Sequence, residues 1–129
     1  MPLLVFNLVQ GRSEPEVRNI ADVAHEVLVR TFKVHPRDRY QIINQRPMAH
    51  LIAEDTGLGF NRSANLLILQ MFSRPRSVTE KTEFYKQMSD DLALYCKIEP
   101  TDLIISIVQN SDEDWSFGRG EAQFLTGAL

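Results

Sequence analysis

Apolar residues cluster over Leu3 to Val9 and then recur at helical spacing as Val17, Ile20, Ala21, Ala24, Val27 and Leu28. The first stretch predicts a β strand and the second an amphipathic helix. Ser13 and Glu16 form a capping box ahead of that helix, with Pro15 in its first turn. The helix must end near Val34, because Pro36 disfavours helical geometry at His35. Tyr40 to Asn44 predicts a second strand. The same order then returns: an apolar strand at Leu66 to Phe72, a cap at Ser77 and Glu80, and a helix with Phe84, Tyr85, Met88, Leu92 and Tyr95 on its apolar side. Pro100 marks its exit, and Leu103 to Val108 predicts a fourth strand.

The two series are an internal repeat. Displaced by 64 positions, Arg12-Ser13-x-x-Glu16 falls on Arg76-Ser77-x-x-Glu80, and Val34-x-Pro36-x-Asp38 on Ile98-x-Pro100-x-Asp102. Helical crossovers of this length join parallel strands with right-handed connections. The expected fold is therefore α/β, with two βαβ repeats forming a four-stranded sheet and both helices on one face. Residues 1–129 read as one domain, with pseudo-repeats at about 1–62 and 63–110 and a tail at 111–129. The segment from Gln45 to Ser63 is loop-rich. Its Gly57-Leu58-Gly59 lacks a third glycine and the strand–helix setting of a dinucleotide fingerprint, so a turn or hairpin is expected.

Charge and composition narrow the function. A net charge of −3 without a basic block argues against nucleic-acid binding. Cys96 is the sole cysteine, so there is no internal disulfide and no cysteine-based zinc site. No apolar run approaches the length of a membrane span, so a cytoplasmic protein is expected. No metal motif, triad or phosphate loop is visible, and no cofactor is implied. His25 on the first helix reads as a hydrogen-bonded structural residue, and His35 and His50 as loop residues.

Three features carry candidate chemistry. Pro2 follows the initiator methionine, and trimming of Met1 would leave a prolyl secondary amine. Arg74-Pro75-Arg76 stands at the mouth of the second helix, where two guanidinium groups beside a helix N-terminus suit a carboxylate. Asp38 lies at the start of the second strand, either as a partner to the amine or as a turn residue like Asp102. In the tail, Trp115, Phe117, Phe124 and Leu129 stand among glycines, as expected of a segment that lines a pocket or packs on a neighbour.

Together these residues resemble the tautomerase superfamily, whose members use an amino-terminal proline, and within it the malonate semialdehyde decarboxylases. The resemblance spans essentially the whole chain. It is carried by Arg37-Asp38-Arg39-Tyr40-Gln41-Ile42, Asp55-Thr56-Gly57-Leu58-Gly59, Ser73-Arg74-Pro75-Arg76, Asp114-Trp115-Ser116-Phe117-Gly118 and Gly120-Glu121-Ala122-Gln123-Phe124-Leu125-Thr126-Gly127. It implies that Pro2 is the catalytic amine, Asp38 its carboxylate partner, and Arg74 with Arg76 the clamp for the carboxylate of an oxo acid. It also implies an apolar wall of Trp115, Phe117, Phe124 and Leu129, and a homotrimer with sites near subunit boundaries. Where the decarboxylases carry an aromatic residue this chain has Arg119, a departure that bears on substrate identity.

The activity implied is decarboxylation of malonate semialdehyde or a related 3-oxo acid. Tautomerisation or hydration of 2-oxo acids such as phenylpyruvate is the alternative. A non-enzymatic binding or signalling module on the same scaffold is a third reading, against which Pro2 and both arginines speak.

Overall fold

Two capping boxes set the frame. In the computed structural model, which describes residues 2–129, the Ser13 and Ser77 hydroxyls accept the amides of Glu16 and Glu80, whose carboxylates accept the amides of the two serines in return. Each cap starts a 19-residue helix, α1 at Glu14–Phe32 and α2 at Val78–Cys96. Each helix closes on a lysine in the left-handed region, Lys33 and Lys97. Whether Met1 is removed concerns a residue outside those described.

The strands are β1 (Leu3–Val9), β2 (Tyr40–Arg46), β3 (Leu67–Ser73) and β4 (Leu103–Gln109), in the sheet order β2-β1-β3-β4. β1 pairs parallel with β2, and β3 with β4, while the central pair β1 and β3 is antiparallel. The two βαβ units therefore run head to tail, and equivalent features fall at opposite ends of the sheet.

Both helices cover one face. Leu4, Phe6 and Leu8 of β1 and Leu67, Leu69 and Met71 of β3 pack there against Ile20, Ala24, Val27 and Leu28 of α1 and Phe84, Met88 and Leu92 of α2. Alternate residues point to the other face, where Leu3 and Val5 are half-buried and Ile42 and Val108 are exposed. The helices are unequal. α1 buries a broad stripe, whereas α2 buries only the row Phe84, Met88 and Leu92. Tyr85 and Tyr95, expected on the apolar side of α2, are exposed: Tyr85 is one position off that row, and Tyr95 lies in the last turn.

The repeat offset holds through the caps, the helix ends and the two Pro-x-Asp turns, but it slips in the leading strands. β1 buries its even-numbered residues and β3 its odd-numbered ones. A one-residue shift in a strand exchanges its faces. The strand and helix bounds nevertheless leave connections of equal length, residues 10–13 and 74–77, so the slip lies in which face of the strand is buried.

The segment between the halves forms turns and no hairpin. It has a 3₁₀ turn at Met48–His50 and a loop in which Asp55 accepts the amides of Gly57 and Gly59. Gly57 and Gly59 both have positive φ, which glycine adopts freely. Among the described residues no helix is long and apolar enough to cross a membrane.

Candidate active site

Strand register assembles the site. Leu3 pairs with Tyr40 on one side and Phe72 on the other. The chain start, the turn before β2 and the turn after β3 therefore meet at one end of the sheet. Pro2 is buried there, next to strands whose flanking turns carry Asp38, Arg74 and Arg76.

Asp38 is held by a tight turn. Its amide donates to His35 O at 2.8 Å, and the Arg37 amide donates to His35 Nδ1 at 3.0 Å. From below, buried His25 sets its Nε2 2.6 Å from Pro36 O. A carbonyl can only accept, so Nε2 carries the proton. His25 thus anchors the turn structurally. Asp38 is only 6% exposed. Burial raises its pKa above the ordinary 3.8, opposed by the positive amino terminus, Arg76, His25 and His35. It is the carboxylate, an opposite charge close to the chain start, that favours the protonated form of a nearby amine, while Arg76 opposes it.

The arginines reach this end from the β3–α2 turn. Arg76 stacks over Phe32, with its guanidinium carbon 5.1 Å from the ring centroid, and makes long contacts to Ser73 Oγ and Phe32 O, each 3.4 Å. Burial lowers its pKa, and the neighbouring Arg74 does so too, while Glu80 and Asp38 raise it. A guanidinium remains charged throughout. Arg74 is tied to the tail: its Nε donates to Asp112 Oδ1 at 2.6 Å, and its guanidinium carbon lies 4.1 Å from the Phe124 centroid.

The tail folds back over this end as an aromatic stack. Trp115 and Phe117 are nearly parallel at 5.4 Å, Phe124 meets Phe117 edge-on at 5.6 Å, and Tyr40 approaches Phe117 at 5.4 Å. A cavity of about 350 Å³ opens between this stack and the Asp38 turn. Phe117, Tyr40, Ala128 and Leu129 supply its apolar lining, and His35, Arg37, Asp38 and Gln123 its polar lining. A smaller cavity lies on the far side of the pair, lined by Leu3, Tyr40, Trp115, Ser116 and Phe117.

The expected wall residues are thus distributed in depth. Phe117 and Leu129 line the main cavity, Trp115 lines the smaller one, and Phe124 backs Phe117 and Arg74. Arg119 sits between two glycines in an exposed turn at φ 59° and lines neither cavity. Among the described residues no three His, Cys, Asp or Glu side chains converge to hold a metal.

Sequence reasoning missed Tyr40, Gln123 and Asp112 as parts of this end. Gln123 is a clip: its Oε1 accepts the Phe117 amide at 2.9 Å, and its Nε2 donates to Gly118 O at 2.8 Å. Tyr40 and Gln123 lie inside the segments that carry the resemblance, which was the available signal. Asp112 had none, because its role depends on a contact with a residue far away in sequence.

The fold, the buried carboxylate beside the chain start and the arginine pair define a tautomerase-type scaffold. A tautomerase-enzyme family profile matches residues 38–118, and a second tautomerase-enzyme profile matches residues 2–61. The chain belongs to the tautomerase superfamily. Among its relatives is the "probable tautomerase YrdN" of Bacillus subtilis (strain 168), 51% identical over the full length of both chains. Two solved structures are of malonate semialdehyde decarboxylases. One, whose decarboxylase and hydratase activities were analysed in wild-type, mutant and inactivated forms, is 46% identical, covers 98% of each chain and has a TM-score of 0.96. The other, inhibited by 3-bromopropiolate, is 37% identical with a TM-score of 0.95, covering 98% of this chain and 97% of that one.

Proposed function

We propose that this chain is an amino-terminal-proline enzyme that decarboxylates malonate semialdehyde or a related 3-oxo acid. The observation that carries the proposal is the meeting of Pro2, buried Asp38 and the Arg74–Arg76 turn at one end of the sheet. The likeness to two decarboxylase structures supports it. After removal of Met1, the Pro2 secondary amine would be protonated in the field of Asp38. The arginines hold the substrate carboxylate, and the ammonium hydrogen-bonds the carbonyl oxygen. As the bond to the carboxylate breaks, its electron pair moves into the carbonyl system as an enolate and carbon dioxide leaves. The enolate carbon then takes up one proton from water, which leaves hydroxide to be neutralised by solvent. Ammonium stabilisation of the forming enolate acts where charge develops. The apolar wall disfavours the carboxylate more than the neutral product, which supplies the differential binding catalysis requires.

A second reading has its own observation. The main cavity, at about 350 Å³ with Tyr40 and Phe117 on its wall, has room for an aromatic 2-oxo acid such as phenylpyruvate, and the same amine in neutral form would catalyse its tautomerisation. Assembly as a homotrimer belongs to the proposal: the helix-free sheet face exposes Tyr40, Ile42 and Val108, an apolar surface of the kind subunits cover.

The test is a product assay by NMR on malonate semialdehyde beside phenylpyruvate, with intact mass to establish the state of Met1. Carbon dioxide release should predominate and fall by orders of magnitude in Pro2→Ala. Wild-type rates from protein that retains Met1 would remove the amine from the mechanism.

A further inference from the structure

Arg74 is gripped on two sides before any substrate arrives. Asp112 takes its Nε at 2.6 Å, and Phe124 lies against its guanidinium face. Among the described residues its two terminal amines have no hydrogen-bond partner. Asp112 itself sits in a fixed 3₁₀ turn whose neighbouring Asp114 is spent capping Ser111. The grip therefore removes the rotational freedom of Arg74 while leaving its paired amines available.

We infer that Asp112 is a positioning residue: it aims the two terminal amines of Arg74 at the substrate carboxylate. The inference rests on the reading of Arg74 as a carboxylate receptor. A planar guanidinium recognises a carboxylate through parallel bonds only when its plane is correctly set. Holding Nε fixes that plane, and ordering the side chain beforehand avoids an entropic cost on binding. Asp112 also places a negative charge near an anionic ligand, which opposes binding. The pair is partly exposed, at 37% and 46% of the side-chain surface, so water screens this repulsion and loss of aim dominates.

The probe is malonate, an unreactive carboxylate, titrated into the full chain by calorimetry and by NMR of the arginine Nε–H signals. Asp112→Asn should weaken malonate binding about tenfold, as expected for a misdirected charge-assisted contact. Asp112→Glu should recover part of the loss, and Glu113→Gln, which changes charge next door without touching Arg74, should bind as wild type. Asp112→Asn combined with Arg74→Ala should bind no worse than Arg74→Ala alone. Tighter malonate binding in Asp112→Asn would make Asp112 a competitor and overturn the inference, as would unchanged affinity or no binding by the wild type. If malonate binds and Asp112→Asn weakens it, but 3-oxo acids release no carbon dioxide, the decarboxylase reading fails while the positioning role stands.

Discussion

Asp38 and Asp102 end two copies of one turn, each with its amide donated to the carbonyl three residues back, at 2.8 Å in both. Each faces an arginine contributed by the other half, Arg76 for Asp38 and Arg12 for Asp102. Beyond that they diverge. The Asp102 carboxylate accepts both the amide and the hydroxyl of Ser63, in the segment leading into β3. Arg12 donates to Asn65 O in the same segment, and Arg62 to Thr101 O. The approach to β3 thus fills this end with its own hydrogen bonds. At the other end the approach to β1 is Pro2, and Asp38 lines a cavity. Burial raises the Asp38 pKa. The same turn serves as a structural knot where a chain segment fills its end, and becomes a candidate reactive centre where it opens on a cavity.

The largest effect should come from exchanging the roles of the two aspartates. Asp38→Asn should lower decarboxylation by about a hundredfold or more, the range for losing a proton-handling group, with the fold retained. Asp102→Ala should leave turnover near wild type but cost about 2–4 kcal/mol in urea unfolding, because two bonds to a carboxylate are lost and the Ser63 amide is left unsatisfied. The pH dependence has a definite sign. A folded pKa raised above 3.8 means that Asp38 weakens the fold once ionised. The stability advantage of Asp38→Asn over wild type should therefore be absent below that value and open as pH rises through the raised one. Equal behaviour of the two variants in rate and stability would reduce Asp38 to a second turn residue.

The arginines sharpen the comparison on a smaller scale. Arg76→Ala should raise KM for oxo-acid substrates about tenfold to a hundredfold, the worth of a charge-assisted hydrogen bond. Arg12→Ala, at the equivalent position, should leave KM unchanged. A matched rise in both would mean that the effect is one of fold stability and not of substrate binding.

What the residue pattern could and could not give follows the same division. Local signals were readable. The capping boxes and the apolar strands placed the four strands and the starts of the two long helices within about two residues, because each depends on neighbours in sequence, whereas the short tail helix Gln123–Thr126 had no such signal. The repeat was visible through those same caps and turns. The slip between β1 and β3 was hidden, since both strands are apolar and only burial distinguishes their faces. Pro2, Asp38, Arg74 and Arg76 could be named as candidates, and the register brings them to one end. The Asp112–Arg74 pair, the Gln123 clip and the satisfaction of Asp102 by Ser63 are long-range pairings with no periodicity to announce them.

The smallest predicted effect concerns the feature in which the halves should not differ. Both capping boxes satisfy the same otherwise unpaired amides, with N-cap serines of identical backbone geometry. Ser13→Ala and Ser77→Ala should each cost about 1 kcal/mol at neutral pH, and the two losses should agree closely. Hydrogen bonds from the cap serines hold the Glu16 and Glu80 carboxyls below their ordinary 4.5. A depressed folded pKa contributes stability that is present above the unfolded value and fades as pH falls through the folded one. Glu16→Gln and Glu80→Gln should therefore differ from wild type at neutral pH and converge with it in acid, again in step. Chemical denaturation of the four variants across pH measures this. A cap that mattered in one half only would show that tertiary packing, and not the local motif, starts that helix, and the strict equivalence on which the comparison of Asp38 with Asp102 rests would be lost.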